Sequence, residues 1–432
     1  MKAVLSNRIY LTCASGSELD NRLAESLIHK IDQMPVSQYP LVINNLQRIT
    51  PTVVSIPTGR MDLIPEGYNI IDKRNKVEVE IPKPSFVPRE NQQEAIDFIK
   101  STGLVDAKPG WGKTIAGLGL VHKFQRKTLI VTTTTIIRDM WIKEVEKWFG
   151  IKCGVIGGGK YDIDSPIVVG NIQTVRKRAA DLANEFGCII IDEVHRSPAK
   201  TFTDTLNTFR AEHKVGLSGT LKRKDGLHCV LPDYFSNAVF HARDENRVEP
   251  VVHLWDCPCE INSSEFIPWA VTVNNLYAKE AYKGGLLKLA NAYMDQGHKV
   301  LILSDRTFLL EDLHELTSDR TLLITGTIGD RDKILEEMLK PDSEARGLFG
   351  TQSIFSEGVS VDTLSCVILG APLSNDPLLE QIIGRIQRKR EGKLTPVVVD
   401  IGLKGSTGHR QKNTRKRFYV SKGWSIKAMG SI

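Results

Sequence analysis

From Leu104 onward, short apolar runs alternate with stretches of helical period. "LVDA", "TLIVTT", "IVVG", "CIIID" and "KVGLS" are separated by segments such as "IRDMWIKEVEKWF". A parallel strand must be returned by a crossover helix that covers the sheet, so this grammar specifies strands buried on both faces. The pattern lapses at "HARDENRVEPVV" (His241–Val252). It then resumes with a helix near Leu276–Asp295 and the runs "KVLILS", "TLLIT", "GLFGT", "SCVILG" and "PVVVD". The expected fold class is α/β, with two tandem parallel-sheet lobes behind a small N-terminal module.

The 432 residues allow for about three domains. The expected divisions are 1–83 for the N-terminal module, 84–245 for the first lobe and 246–432 for the second. The module reads as α+β. "AVLSNRIYLTC" and "KVEVEIPKP" partly alternate like strands, and "SELDNRLAESLIHKID" reads as a helix with Ser17 or Asp20 as its cap. The turn "PTGR" (Pro57–Arg60) divides strand-like runs. Seven scattered cysteines without a CxxC pair suit a reducing cytosol rather than a disulfide framework. Cys257 and Cys259 are expected as two thiols on a strand end, since no second pair lies at zinc spacing. There is no signal-peptide pattern and no apolar run of membrane length. A net charge of +6 does not itself identify a polyanionic partner, because distribution matters more than the sum. The segment from Gly402 to Ile432 has no acidic residue, and Phe418, Tyr419 and Trp424 are interleaved with its basic residues. That mixture suits phosphate contact and base stacking.

"DAKPGWGKTIAGLGL" (Asp106–Leu120) places a glycine-framed turn between a strand and an apolar helix. Backbone N–H groups and a helix N-terminus attract an anion there. Gly110 and Gly112, beside Pro109 and Trp111, allow close backbone approach. Lys113 would neutralise the β and γ phosphates and the Thr114 hydroxyl would ligate Mg²⁺. Ala107 stands where the usual first glycine of such a loop would be. "CIIIDEVH" (Cys188–His195) is an apolar strand ending in two carboxylates. Asp192 can hold Mg²⁺ and Glu193 can polarise the attacking water. Together, loop and carboxylates indicate hydrolysis of a nucleoside triphosphate rather than mere binding. In "QIIGRIQR", a continuous helix would put Gln381, Arg385 and Arg388 on one face. Two guanidiniums so placed suit a triphosphate, as arginine fingers. The nucleotide is expected in a cleft between lobes, whose opening and closing is the basis of a motor.

In this order, "AKPGWGKT", "IIIDEVH", "LSGT" (Leu217–Thr220), "GTQSIFSEGVSVD" (Gly350–Asp362) and "QIIGRIQR" resemble the motifs of superfamily 2 helicases. Within them the chain is similar to phage branch-migration helicases of UvsW type, and more distantly to RecG-like and XPB-like motors. The resemblance implies RecA-like lobes. It implies that Gln92, Arg89 and Phe86 read and stack on adenine, and that Glu357 and Gly358 join the nucleotide site. Ser218 and Thr220 would couple hydrolysis to lobe movement, although LSGT departs from the commoner SAT or TAT. Thr133, Thr134, Asn171, Gln173 and Thr174 in the first lobe would follow the DNA backbone, as would Arg306, Thr325 and Thr351 in the second. Trp141 is expected in the core of its helix.

The expectation is therefore an ATP- and Mg²⁺-dependent DNA translocase that remodels branched DNA by branch migration, fork regression or unwinding. It would act in recombination, replication or repair as a cytoplasmic monomer, with the N-terminal module as a DNA-binding accessory. An RNA helicase, or the DNA motor subunit of a restriction-type complex, is the alternative.

Overall fold

The computed structural model describes residues 1–32, 39–194, 199–219, 221, 225–243, 247–326, 331–340, 343–352, 361–373 and 376–429, with backbone alone at 199–202, 331–332 and 377. The chain divides into two compact units, Met1–Asp244 and Glu245–Ile432.

The first unit opens with a five-stranded sheet in the order Gln47–Thr50, Val53–Ile56, Ile9–Thr12, Lys2–Leu5, Asn69–Asp72. Its inward residues, among them Ala3, Leu5, Ile9, Leu11, Val54 and Ile56, pack with Leu23 and Leu27 of the helix Glu18–Leu27. Ser17 caps that helix by accepting from the Asp20 N–H at 3.2 Å. The helix is shorter than its sequence suggests, because Ile28–Ile31 leaves it as a strand paired with Leu41–Asn44. The run "KVEVEIPKP" is not a strand of this module. Its backbone meets the larger sheet domain instead: Lys127 N–H donates to Val77 O at 2.8 Å, and Glu78 bridges Arg126.

The rest of the unit is an eight-stranded sheet, ordered Lys160–Tyr161, Gly154–Gly157, Ile167–Asn171, Thr128–Thr132, Cys188–Ile191, His213–Ser218, Gly103–Asp106, Val239–His241. All neighbours are parallel except the first pair. Alternate residues serve opposite faces. Val105, Ile130, Val169, Ile190 and Val215 face the helices Glu90–Phe98, Lys113–Phe124 and Thr135–Phe149. Leu104, Leu129, Val168 and Ile189 face the opposite layer with Phe186, Leu206 and Phe235.

The small sheet is fastened to this domain by buried polar groups. Asp233 is fully buried and accepts from His29 at 2.7 Å, Asn45 at 2.8 Å and Arg60 at 3.2 Å. Lys214 reaches from the strand His213–Ser218 to Thr58 Oγ1 at 3.0 Å.

The second unit is a seven-stranded parallel sheet, ordered Thr321–Ile324, Gly347–Thr351, Val300–Ser304, Cys366–Leu369, Val397–Lys404, Val251–Glu260, Ile426–Ala428. Helices cover both faces, including Glu280–Asp295 on one and Asp376–Ile386 on the other. Cys257 and Cys259 point into this core from within a strand. The acid-free C-terminal segment is a helix, Gly405–Ser421, and a closing strand. Its aromatics serve the core rather than an exposed stacking surface: Phe418 and Tyr419 are buried and Trp424 packs on both. Each unit with a large sheet thus forms a RecA-like α/β lobe, and the first also carries the small α+β module.

Candidate active site and nucleic-acid track

The phosphate loop joins the strand Gly103–Asp106 to the helix Lys113–Phe124. Gly110 and Gly112 have φ of 92° and 97°, a left-handed region that side chains make costly. At Gly112 a Cβ would also collide with the Gln92 amide behind the loop. Gln92 donates to Trp111 O at 3.0 Å and Gly112 O at 3.4 Å, and accepts from Arg89 N at 2.9 Å. The Arg89 guanidinium also bonds Trp111 O. These two expected adenine readers therefore brace the loop in this structure. Phe86 stands edge-on to Trp148, centroids 5.5 Å apart.

Inside the loop, Lys113 Nζ donates to Ala107 O at 3.2 Å and pairs with Glu193 Oε1 at 3.4 Å. Thr114 follows in the first helical turn. The strand His213–Ser218 closes this side: Ala107 N donates to Ser218 O at 2.9 Å, and Gly219 lies against Lys113 and Pro109. Thr220 and His195 lie outside the described residues.

Asp192 leaves the strand Cys188–Ile191 and is buried. Burial first, then the charge of Glu193, pushes its carboxyl up to about 6, against the opposing pull of Lys113. Glu193 has φ of 49°, unusual for a non-glycine residue and typical of places where a fold over-determines a working group. The two carboxylates, with the Thr114 hydroxyl from the first turn of the loop helix, are the oxygen donors that Mg²⁺ takes, and its charge would favour the ionised form of Asp192.

Trp141, fully buried, donates from Nε1 to Asp192 Oδ2 at 2.8 Å. Its ring lies so close to Gly117 of the loop helix that a Cβ there would sit 2.8 Å from the indole. One residue thus touches both the loop helix and the acidic strand. Sequence reasoning placed Trp141 in the core but missed this role. The available signal was chemical: a buried indole N–H needs an acceptor.

Trp141 rides on Thr135–Phe149, the helix that starts at the expected nucleic-acid track. Thr132 and Asn171 are paired at the C-terminal ends of adjacent strands, which brings Thr133, Thr134, Asn171, Gln173 and Thr174 together. Thr134 caps the helix through Ile137 N at 3.3 Å. Asn171 accepts from Arg138 at 3.0 Å, so the buried Arg138, also missed, ties the two segments together. The Thr133 hydroxyl has no hydrogen-bond partner among the described residues, and Gln173 is exposed.

In the second unit, Ser304 pairs with Thr351, and Thr325 follows the next strand over, so three strand ends form one edge. Arg306 lies there, bonded to Asn274 at 2.9 Å and paired with Asp305 at 2.8 Å. Gln381 and Arg385 belong to the helix Asp376–Ile386. Arg388 does not, which corrects the one-face expectation. The chain leaves the helix because its backbone pairs elsewhere: Val248 N donates to Gln387 O at 2.9 Å, and Arg247 bridges Arg388. Arg388 is ion-paired with Asp362, another partner the sequence did not disclose. Glu357, Gly358 and Thr327 lie outside the described residues.

A phosphate loop and an acidic strand end on a parallel sheet define the site of a nucleoside-triphosphate hydrolase. A family model described as "Type III restriction enzyme, res subunit" matches residues 85–223. "Probable helicase D10" of Escherichia phage T5 is 42% identical, covering 99% of this chain and 96% of that protein. "DNA 3'-5' translocase XPB2" of Sulfurisphaera tokodaii is 23% identical, covering 76% and 84%. The crystal structure of T4 UvsW aligns over 99% of both chains at 16% identity, with a TM-score of 0.43. The chain belongs to the superfamily 2 helicases, alongside the T5 protein. It is an enzyme of the ATP-dependent helicase class, and that class works on nucleic acid. Among the described residues no helix is long and apolar enough to cross a membrane.

Proposed function

We propose that this helicase is a DNA translocase that remodels branched DNA, by branch migration, fork regression or unwinding, during recombination, replication or repair. The observation that carries the motor reading is the Trp141–Asp192 hydrogen bond. It connects a hydrolytic carboxylate to a helix that begins on the Thr133–Thr134 edge. A strand lying on that edge can shift the helix and, with it, the carboxylate.

In this reading Lys113 would hold the β and γ phosphates, and Thr114 and Asp192 would hold Mg²⁺, which would supply positive charge to the triphosphate. Glu193 takes the proton of the attacking water while Arg385 and Arg388 stabilise charge on the transferred phosphoryl. Gln92 and Arg89 shape the loop to which ATP binds, and Gln381, on the same helix as Arg385, joins the nucleotide site. Backbone contacts without a base-reading element suit recognition by shape and charge. DNA is taken over RNA on the DEVH box of "IIIDEVH" and on the resemblance to branch-migration helicases, the relatives including both a DNA translocase and RNA helicases. The module 1–83 moves with the first lobe as an accessory grip, because the Asp233 cluster fastens it there.

The test is ATP hydrolysis without nucleic acid and with single strands, duplex, RNA and a four-way junction, scored beside junction resolution. ATP-dependent junction movement is expected. Stimulation by RNA alone would transfer the reading to RNA remodelling, and indifference to all polynucleotides would end it.

A further inference from the structure

The second unit carries a groove of ≈ 320 Å³ that none of the helicase motifs lines. Its charged lining is Lys299, Lys340, Arg346, Arg390 and Lys393, with Glu391 as the single carboxylate among the described lining residues. The topology explains the gathering. Lys299 and Arg346 immediately precede the strands Val300–Ser304 and Gly347–Thr351, and the turn containing Arg390 and Lys393 precedes Val397–Lys404. All three therefore sit at the N-terminal edge of the parallel sheet. Ser304, Arg306, Thr325 and Thr351 lie at its other edge.

Nearby acids answer only part of this charge, Glu337 acting on Lys299 and Asp362 on Lys393. Arg346 and Arg390 form no ion pair among the described residues, whereas Lys340 is paired with Glu337 at 2.7 Å. The Lys299 and Lys393 amines are spent on backbone carbonyls, of Met338 at 2.7 Å and of Arg388 at 2.9 Å. Burial and then the neighbouring Arg346 and Arg390 pull Lys299 below its ordinary range. Lys393 is lowered to about 8, chiefly by burial. A concave site with converging, mutually repelling cations is relieved by an anion. Guanidiniums favour phosphate because their planar donors match its oxygens.

We propose that this groove binds the phosphate backbone of a nucleic-acid strand, giving the lobe a second contact at the sheet edge opposite the expected track. This rests on the reading of the chain as a nucleic-acid motor. A branched substrate supplies what such an arrangement needs, since one arm can occupy the track while another reaches the far edge.

The test is the double variant R346Q/R390Q, which touches no residue assigned to hydrolysis or to the track. Binding to a labelled fork and to a short single strand is titrated over a range of KCl. ATPase stimulated by the short strand reports whether the engine is intact. The variant is expected to bind the fork about tenfold or more weakly. Its log–log salt dependence should be shallower by about 0.9 per lost duplex phosphate contact, with the short-strand ATPase unchanged. Unaltered fork affinity and salt slope in a variant with normal ATPase would overturn the groove alone. So would an unaltered fork affinity accompanied by a raised KM for ATP, which would give the groove to the nucleotide. A wild-type protein that neither binds nor responds to any nucleic acid would remove the motor reading as well.

Discussion

The two lobes treat their working charges differently. In the proposed site of the first, the working groups are carboxylates and donors hold them: the neutral Trp141 indole bonds Asp192, and the Lys113 ammonium pairs with Glu193. In the second, the proposed working groups are arginines, and carboxylates hold them: Asp305 for Arg306 and Asp362 for Arg388. A donor that positions an acid can stay in place during the reaction. A carboxylate that neutralises an arginine must give it up before the arginine can serve a phosphate. Partly exposed ion pairs are worth at most about 1 kcal/mol, so that exchange is inexpensive. On the proposed roles, the first lobe is preorganised and the second is held in reserve.

The largest effect should come from Glu193→Gln. If the first lobe is already set for chemistry, losing only the base should lower turnover by about 10²–10⁴-fold while leaving ATP and DNA binding near wild type. Steady-state ATPase and equilibrium binding check this, and appreciable residual hydrolysis would remove the assigned role.

Next is a contrast between buried cations. Arg415 lies under the second sheet in a two-toothed pair with Asp400, at 2.9 and 2.6 Å. Burial pulls its guanidinium down and Asp400 more than restores it, so it stays charged. Arg415→Met would strand Asp400 and should cost about 3–5 kcal/mol of stability, read by denaturant unfolding.

These features were unequally visible in the sequence. The loop and the acidic strand were legible because their chemistry is local: glycines 110 and 112 must adopt left-handed backbone, and an apolar strand must end before Asp192. Partners set by tertiary packing were not. Trp141 meets an acceptor across the sheet, and the pairing of Arg388 with Asp362 depends on where the chain leaves its helix. The C-terminal aromatics misled for a related reason. Basic residues beside Phe418 and Tyr419 resemble a stacking surface, but the rings face inward from an outwardly basic helix.

Trp141→Phe sharpens the first half of the comparison. Phenylalanine keeps an aromatic beside Gly117 but removes the donor. A hydrogen bond to a charged group is worth about 1.5–3 kcal/mol, so kcat should drop roughly 10-fold or more with little change in KM for ATP. A cavity effect alone would instead show as lost thermal stability with kcat preserved. Asp362→Asn probes the other half. Releasing Arg388 from its carboxylate should raise the unstimulated ATPase by up to about fivefold, the equivalent of one exposed pair. If that rate instead falls, Asp362 positions Arg388 rather than withholding it.

The smallest effect lies with Lys214, the first lobe's counterpart to Arg415. It too is buried, 2% exposed, but its bonds go to Thr58 Oγ1 and Leu206 O, and no carboxylate pairs with it among the described residues. Burial first, then repulsion from Arg74 and Arg8, lowers its amine to about 7 from an ordinary 10.5. Between those two values the unfolded chain binds more protons than the folded one, so this residue makes stability rise with pH across the window. Below about 7 both states are protonated and the penalty is complete, and above the ordinary value it vanishes. Lys214→Met removes the titration. The difference in Tm between variant and wild type should therefore favour the variant most near pH 7 and shift toward the wild type as pH approaches 10. ATPase should change little, because Thr58 and Leu206 lie away from the loop. A difference in Tm that does not vary with pH would mean that Lys214 remains protonated in the fold. The lobes would then neutralise their buried cations in the same way, by partners rather than by proton loss.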